Sequence, residues 1–184
     1  MDALSQTHQT LLRQDLLLRG SSRNPQEASA LIKGSLHLAS PTWAQEKKGI
    51  LTPLLALEAF TGQRAQVTTS QQMVPSLKIR RGMVLGAKVT LRGSSLSAFL
   101  LRLAFLALPA LPQWKGIPLP EGNSLSFRMG RGVAFREWER HHDLFQELPP
   151  LDLTFQASGK EGEAFLRSLP LAFTSSTSTP SSLG

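Results

Sequence analysis

The sequence predicts an α+β fold: a mainly antiparallel sheet of about five strands, helices packed on one face, and the opposite face open. Three observations predict it. Short segments alternate polar and apolar residues with the two-residue period of a half-buried strand. The helical segments between them follow no repeated strand–helix–strand rhythm. And in the stretch Lys78 to Gly93, KIRRGMVLGAKVTLRG, the residues Ala87, Val89 and Leu91 alternate with Lys88, Thr90 and Arg92, so one side suits a core and the other an anion.

Residues 1–26 are expected to form an N-terminal helix and loop, because Leu4, Leu11, Leu12, Leu16 and Leu18 make an amphipathic run ending near Gly20. Residues 27–173 are expected to form the folded domain. Ala30 to Leu38 reads as its first strand, with Ile32, Leu36 and Leu38 on one side and Lys33, Ser35 and His37 on the other. Gly34 marks a bulge or a close approach by the partner. Thr52 to Gly62 reads as a helix, with Thr52 as cap, Pro53 at its first position and Gly62 as its stop. Gln66 to Ser70 is a short strand. Gln71 to Leu77 is a loop, and the basic segment returns from it as the second limb of a projecting hairpin. Ser94 or Ser95 is expected to cap a helix that buries Leu96, Phe99, Leu100, Leu103 and Leu106 and stops at Pro109. A Pro-rich loop, Ala110 to Gly122, leads to a fourth strand where Leu125, Phe127 and Met129 alternate with Ser124, Ser126 and Arg128. Gly130 to Pro150 is irregular. Leu151, Leu153, Phe155 and Ala157 alternate with Asp152, Thr154, Gln156 and Ser158 in a fifth strand, and Lys160 to Leu169 is a short helix. Residues 174–184, rich in Ser and Thr, form a tail expected to be disordered when unbound.

Twenty Lys and Arg against thirteen Asp and Glu give a net charge of +7, and most of the cations are arginine, the side chain best matched to phosphate. A basic globule of this size points to nucleic acid first and an anionic membrane surface second. The membrane reading needs a basic amphipathic helix, and the helix after Gly93 carries too little charge. The longest apolar run, Leu96 to Leu111, is broken by Arg102 and Pro109 and is shorter than the ~20 residues of a membrane span. With no cysteine, disulfides, thiolate metal sites and a Cys nucleophile are excluded. His8, His37, His141 and His142 have no second ligand at helical spacing, and no phosphate loop, dinucleotide fingerprint or nucleophile elbow is present. No enzyme, metal or cofactor is expected. Lys33, Lys88 and Arg92 are candidate phosphate contacts. Lys88 and Arg92 stand about 13 Å apart along a strand, far enough to meet separate phosphates. Sparse aromatics argue against base stacking as the main mode.

The block KIRRGMVLGAKVTLRG resembles the central signature of the bacterial-type large-subunit ribosomal protein five family, which holds 5S ribosomal RNA in the central protuberance. Thr61-Gly62-Gln63-Arg64 is similar to the Ser/Thr-Gly-Gln-Lys/Arg turn before that family's basic hairpin. Met129-Gly130 resembles a Met-Gly pair after its Pro-rich loop. Leu151-Asp152-Leu153-Thr154 resembles its Leu-Asp-Ile-Thr strand, and Ala164 to Phe173 its final helix. The resemblance spans roughly Lys33 to Phe173.

It implies that the open sheet face binds 5S RNA, with His37, Gln63 and Thr90 at the family's three polar contact positions and Arg64 beside them. His37 stands where the family has Asn. The hairpin, with Val74, Lys78, Arg80 and Arg81, would lie near P-site transfer RNA and ribosomal RNA. Its first limb, Thr68 to Met73, lacks the cations usual there. Further implied partners are large-subunit ribosomal RNA, small-subunit protein thirteen across the subunit interface, for which Val133 to Glu147 is a candidate contact, and other central-protuberance proteins. The altered first strand and the Ser/Thr tail point to an organellar copy, in the mitochondrial matrix rather than the plastid. A basic RNA-binding regulator outside the ribosome is the alternative with the same sheet chemistry.

Overall fold

A computed structural model describes residues 29–44, 47–111, 116–130, 142–145, 148–159, 162–169, 171 and 173, together with Thr10 and Gln14. Apart from Thr10 and Gln14, both helical, the expected N-terminal helix lies outside the described residues, as do the candidate contact region Val133 to Glu147 for the most part and the C-terminal tail.

The strands are β1 (Leu31–Ala39), β2 (Gln66–Thr69), β3 (Val84–Leu91), β4 (Ser124–Met129) and β5 (Leu151–Ala157). They form one five-stranded sheet in the order β2-β3-β1-β5-β4. Each neighbouring pair is antiparallel. The helices with described bounds are α1 (Leu51–Thr61), α2 (Gly93–Arg102), α3 (His142–Phe145) and α4 (Gly162–Arg167). The predicted α+β class is therefore the observed one.

The core lies on one face. Leu36 and Leu38 of β1, Ala87, Val89 and Leu91 of β3, and the odd-numbered residues of β4 and β5 are buried. They meet Leu57 and Phe60 of α1, Leu96 and Phe99 of α2, and Phe165 of α4 in one cluster. Phe60 sets its ring edge-on to Phe145 of α3, with centroids 6.1 Å apart, and so ties the short helix to the long one. Gly34 faces this core. A Cβ there would press on the Leu96 side chain and stand 3.1 Å from the Phe155 ring, so the close approach at Gly34 is by the protein's own helix α2.

Four local expectations are corrected. The register shifts between Leu31 and Lys33, so Leu31 packs against the core while Ile32 is 47% exposed. The inserted residue reverses which neighbour points inward. Thr52 does not cap α1. The chain enters from a 3-10 turn at Lys47–Ile50, Ile50 is the cap residue without a side-chain bond, and Pro53 sits in the first turn, where its missing N–H costs nothing. Gly62 ends the helix as expected, in the left-handed region with φ 69°. Neither Ser94 nor Ser95 caps α2. It begins at Gly93, with Arg92 as an extended cap residue that makes no side-chain bond. Finally, α2 runs into a π turn at Leu103–Ala107, closed by Leu108 N–H donating to Leu103 C=O at 2.9 Å. The wider turn shifts the helical phase. Ala107 is buried in place of Leu106, which is 63% exposed.

Candidate nucleic-acid interface

The polar positions of all five strands converge on the face opposite the helices. The antiparallel register arranges them in rows. One row runs Gln66, Lys88, His37, Asp152, Arg128 across β2, β3, β1, β5 and β4. A second runs Thr90, Ser35, Thr154, Ser126. A third holds Lys33, Gln156 and Ser124. Directly opposed residues stand about 4.5–5.5 Å apart at Cβ, so each row is a continuous polar strip. Lys88 and Arg92 are exposed, and Lys33, His37 and Thr90 are half-buried. Arg92 stands one residue beyond β3, still extended at φ −145° and ψ 161°, and so keeps the alternation. Lys33, His37, Lys88 and Thr90 thus share one surface on neighbouring strands, with Arg92 continuing it.

Among the described residues three side-chain contacts cross the surface, the first of them Ser126 O–H donating to Thr154 Oγ1 at 3.1 Å. His37 Nε2 lies 3.4 Å from Thr68 Oγ1 on β2, bridging over β3. Arg128 donates Nε–H to Asp152 Oδ1 at 2.6 Å and Nη2–H to Oδ2 at 3.3 Å. The hydrogen bond to the Asp152 carboxylate and its charge raise the Arg128 pKa above the ordinary guanidinium value. The pair makes the face electrically lopsided. The β2–β3–β1 side carries ammonium and guanidinium groups that form no ion pair with the described residues. The β5–β4 side carries a cation already neutralised by a carboxylate. The lopsidedness is written into the chain, for no acidic residue occurs between Glu58 and Glu121.

Gln63 and Arg64 are not on a strand. They occupy the turn between α1 and β2, both exposed, beside a shallow pocket of about 310 Å³ shared with Glu58 and Gly62. The turn is held from within. Gln63 N–H donates to Thr61 Oγ1 at 3.2 Å, Thr61 O–H donates to Leu57 C=O at 2.7 Å, and Ala65 N–H donates to the Glu58 carboxylate at 3.2 Å. Because Gln66 pairs with Lys88 and the strands are antiparallel, this turn lies at the Thr90 end of β3.

Lys78, Arg80 and Arg81 precede β3 and belong to the loop of the β2–β3 hairpin. Its inner end is closed by Ser70 N–H to Met83 C=O at 2.8 Å, and its outer end by a mutual pair between Val74 and Ile79 at 3.0 and 3.1 Å. Lys78 takes a left-handed conformation, φ 55°, after a 3-10 turn at Pro75–Leu77. Ile79 is buried, and the three cations are exposed. Val74 is at the margin of exposure, while Met73 and Leu77 are more than half exposed, so the tip is apolar as well as basic. The hairpin is a separate surface from the strand rows.

Sequence alternation located the polar strand positions but missed Gln66 and Thr68 as members of the face, since β2 is too short to show a period. It also missed the Arg128–Asp152 pair, which follows only once β4 and β5 are known to be neighbours. Among the described residues no group of three or more His, Asp or Glu could hold a metal ion, and no helix is long and apolar enough to cross a membrane.

The fold and this face define an α+β protein in which, among the described residues, one sheet surface is open, polar and net cationic. No family model matches the chain. Curated relatives do. It is 31% identical to the large ribosomal subunit protein uL5m of Reclinomonas americana over 87% of this chain and 90% of that protein. It is 29% identical to uL5 of the cyanobacterium Rippkaea orientalis over 92% and 97% of the two chains. It is 26% identical to uL5m of Prototheca wickerhamii over 83% of this chain and 69% of that one. The chain belongs to the large ribosomal subunit protein uL5 family.

Proposed function

We propose that this chain is a structural constituent of a large ribosomal subunit, anchored through its open sheet face to 5S ribosomal RNA and neighbouring large-subunit RNA in the central protuberance. The observation that carries this reading is the face itself: Lys33, Lys88 and Arg92 with the hydroxyls and amides of three strands, uncovered by any of the described helices α1–α4, on a chain of the uL5 family. Lys33, Lys88, Arg92 and Arg64 neutralise phosphates. Thr90, His37 and Gln63 hydrogen-bond ribose hydroxyls or base edges. An RNA helix offers a wide, shallow minor groove lined with 2′-hydroxyls, and short polar side chains on a sheet suit that surface. The hairpin, through Val74, Lys78, Arg80 and Arg81, reaches P-site transfer RNA and adjacent ribosomal RNA, with its second limb supplying the charge. Contact with small-subunit protein thirteen and with other central-protuberance proteins completes the assembly. The two organellar relatives support an organellar ribosome, with the mitochondrial matrix as the compartment and the plastid as the alternative.

Sedimentation through a high-salt sucrose cushion tests this. The chain is expected to travel with the large subunit and to cross-link to its 5S RNA. Release into the supernatant, with RNA binding retained, would instead identify a regulator outside the ribosome.

A further inference from the structure

We infer that Arg102 and Glu58, neither of which belongs to the polar strand rows, are positioning residues for Gln63 and Arg64: they lock the turn between α1 and β2 in which those two RNA contacts stand. The inference rests on the proposed RNA reading of Gln63 and Arg64. Both are exposed and lie between the helix and the strand, so no strand pairing fixes where their side chains point. The anchoring of the turn does that instead.

The turn is anchored at both ends. At its start, the last carbonyls of α1 have no partner within the helix. Gly62 N–H donates to Glu58 C=O at 2.8 Å. The Phe60 carbonyl is taken from another element, by Arg102 Nη2–H at the end of α2. α1 carries no basic residue in its own last turn, so Arg102 supplies the cation that the negative end of the helix dipole favours. Arg102 is itself half-buried, next to buried Leu103, so the core holds its backbone in place. At the far end, Ala65 N–H donates to the Glu58 carboxylate at 3.2 Å. Glu58 is in the last turn of α1, where a carboxylate opposes the dipole. The turn it spans, not the helix, explains its place. Phe60 and Ala65 are thus both fixed, and the stretch between them, Thr61 to Arg64, is tightened by Gln63 N–H on Thr61 Oγ1. Arg102 lies in the helical layer and Glu58 is an anion, so neither is a phosphate contact. Any effect they have on RNA binding passes through the turn.

The test is filter binding of the full chain to a bacterial 5S rRNA transcript across a salt series, with amide hydrogen exchange of the unbound chain beside it. Arg64→Ala is expected to lower the slope of log affinity against log salt by roughly 0.7–0.9, one phosphate contact. Arg102→Met, which keeps an apolar stem and loses the donors, is expected to lose part or all of that increment and to speed exchange at Gln63 to Ala65. Combined with Arg64→Ala it should add little further loss, with a coupling of at least about threefold in dissociation constant. Arg102→Lys, which keeps a donor for the Phe60 carbonyl, should recover the parent's slope. Glu58 gives a second arm that leaves the helical layer alone and stands even where Arg102→Met does not fold. Glu58→Ala and Glu58→Gln remove the same charge, but only the Gln side chain keeps an acceptor for Ala65 N–H. The Ala variant is therefore expected to show the lower slope and the faster exchange of the two. Loss of stability alone does not give this pattern, and a core variant such as Leu36→Ala serves as the control. If Arg64→Ala lowers the slope while Arg102→Met keeps it and the two Glu58 variants agree, or if the losses simply add, the inference is overturned and the RNA reading stands. An Arg64→Ala protein with the parent's slope, or a parent that binds no RNA, overturns the RNA reading of the turn and the inference with it.

Discussion

Two guanidinium groups on the same sheet face have opposite prospects. Arg92 is exposed at the end of β3, and no hydrogen bond ties its side chain to the described residues. Arg128 is held by both oxygens of Asp152. A phosphate can recruit Arg92 directly, but to recruit Arg128 it must displace a carboxylate in bidentate geometry. Arg92→Ala is therefore expected to lower the slope of log affinity against log salt by roughly 0.7–0.9, the release of one phosphate's counterions. Arg128→Ala should leave that slope nearly unchanged. Asp152→Asn should do the reverse of Arg92→Ala: it frees the Arg128 guanidinium, tightens RNA binding and steepens the slope by up to the same amount. Filter binding across a salt series checks all three. An Asp152→Asn protein that binds no better would place the RNA footprint wholly on β2, β3 and β1. The pair itself is indifferent to pH near neutrality on the Arg128 side. A raised guanidinium pKa contributes stability that is present at every lower pH and lost only when strongly alkaline pH passes through the folded value.

Elements show where local sequence signals are enough and where they fail. Alternation located β1, β3, β4 and β5, because each has one buried face and each side chain's environment repeats every second residue. The face rule failed at Ile32, where the register with β5 shifts, and a bulge belongs to a pair of strands rather than to either one. It failed again at Leu106, where the π turn adds a residue to the helical repeat and nothing in the chain announces it. The cap signals at Thr52 and Ser94 were misread for a shared reason. Both helices begin where tertiary packing brings the chain in, and a nearby hydroxyl does not move that point. Gly34 was legible as special but not in its cause, since the residues that crowd it, Leu96 and Phe155, come from α2 and β5. This crowding gives a test of how α2 sits on β1. Gly34→Val is expected to lower stability by about 1–3 kcal/mol in chemical denaturation, the ordinary cost of overpacking. Shortening the opposing side chain in the double variant Gly34→Val, Leu96→Ala should make the combined loss smaller than the sum of the two single losses. Simple additivity would mean that the added side chain escapes by another route.

At the scale of the whole molecule, the core and the proposed RNA-binding groups occupy opposite sides of one sheet. Every large buried side chain of β1, β3, β4 and β5 points toward the helices, and every candidate ligand group on those strands points away. Neighbouring residues on a strand therefore answer to different constraints. Leu36 is fully buried in the core beside half-buried His37, and Val89 is buried between Lys88 and Thr90. Such a division predicts that the two properties can be lost separately. In the triple variant Lys33→Gln, Lys88→Gln, Arg92→Gln, each change falls at a partly or fully exposed position, and surface substitutions of this kind usually stay within about 0.5 kcal/mol. At roughly 2–4 °C per kcal/mol for a chain of this size, the melting temperature should move by only a few degrees. The salt slope for 5S RNA should nevertheless fall by roughly 2–3, one increment per lost phosphate contact. The converse variant, Leu36→Ala, should cost about 2–5 kcal/mol of stability. Measured well below its melting point, it should keep the parent's salt slope, because the cations on the other face are untouched. If the triple variant unfolded, or if Leu36→Ala lost the slope while still folded, the sheet would be a single coupled unit, and the assignment of phosphate contacts to its open face would have to be rebuilt from the loops.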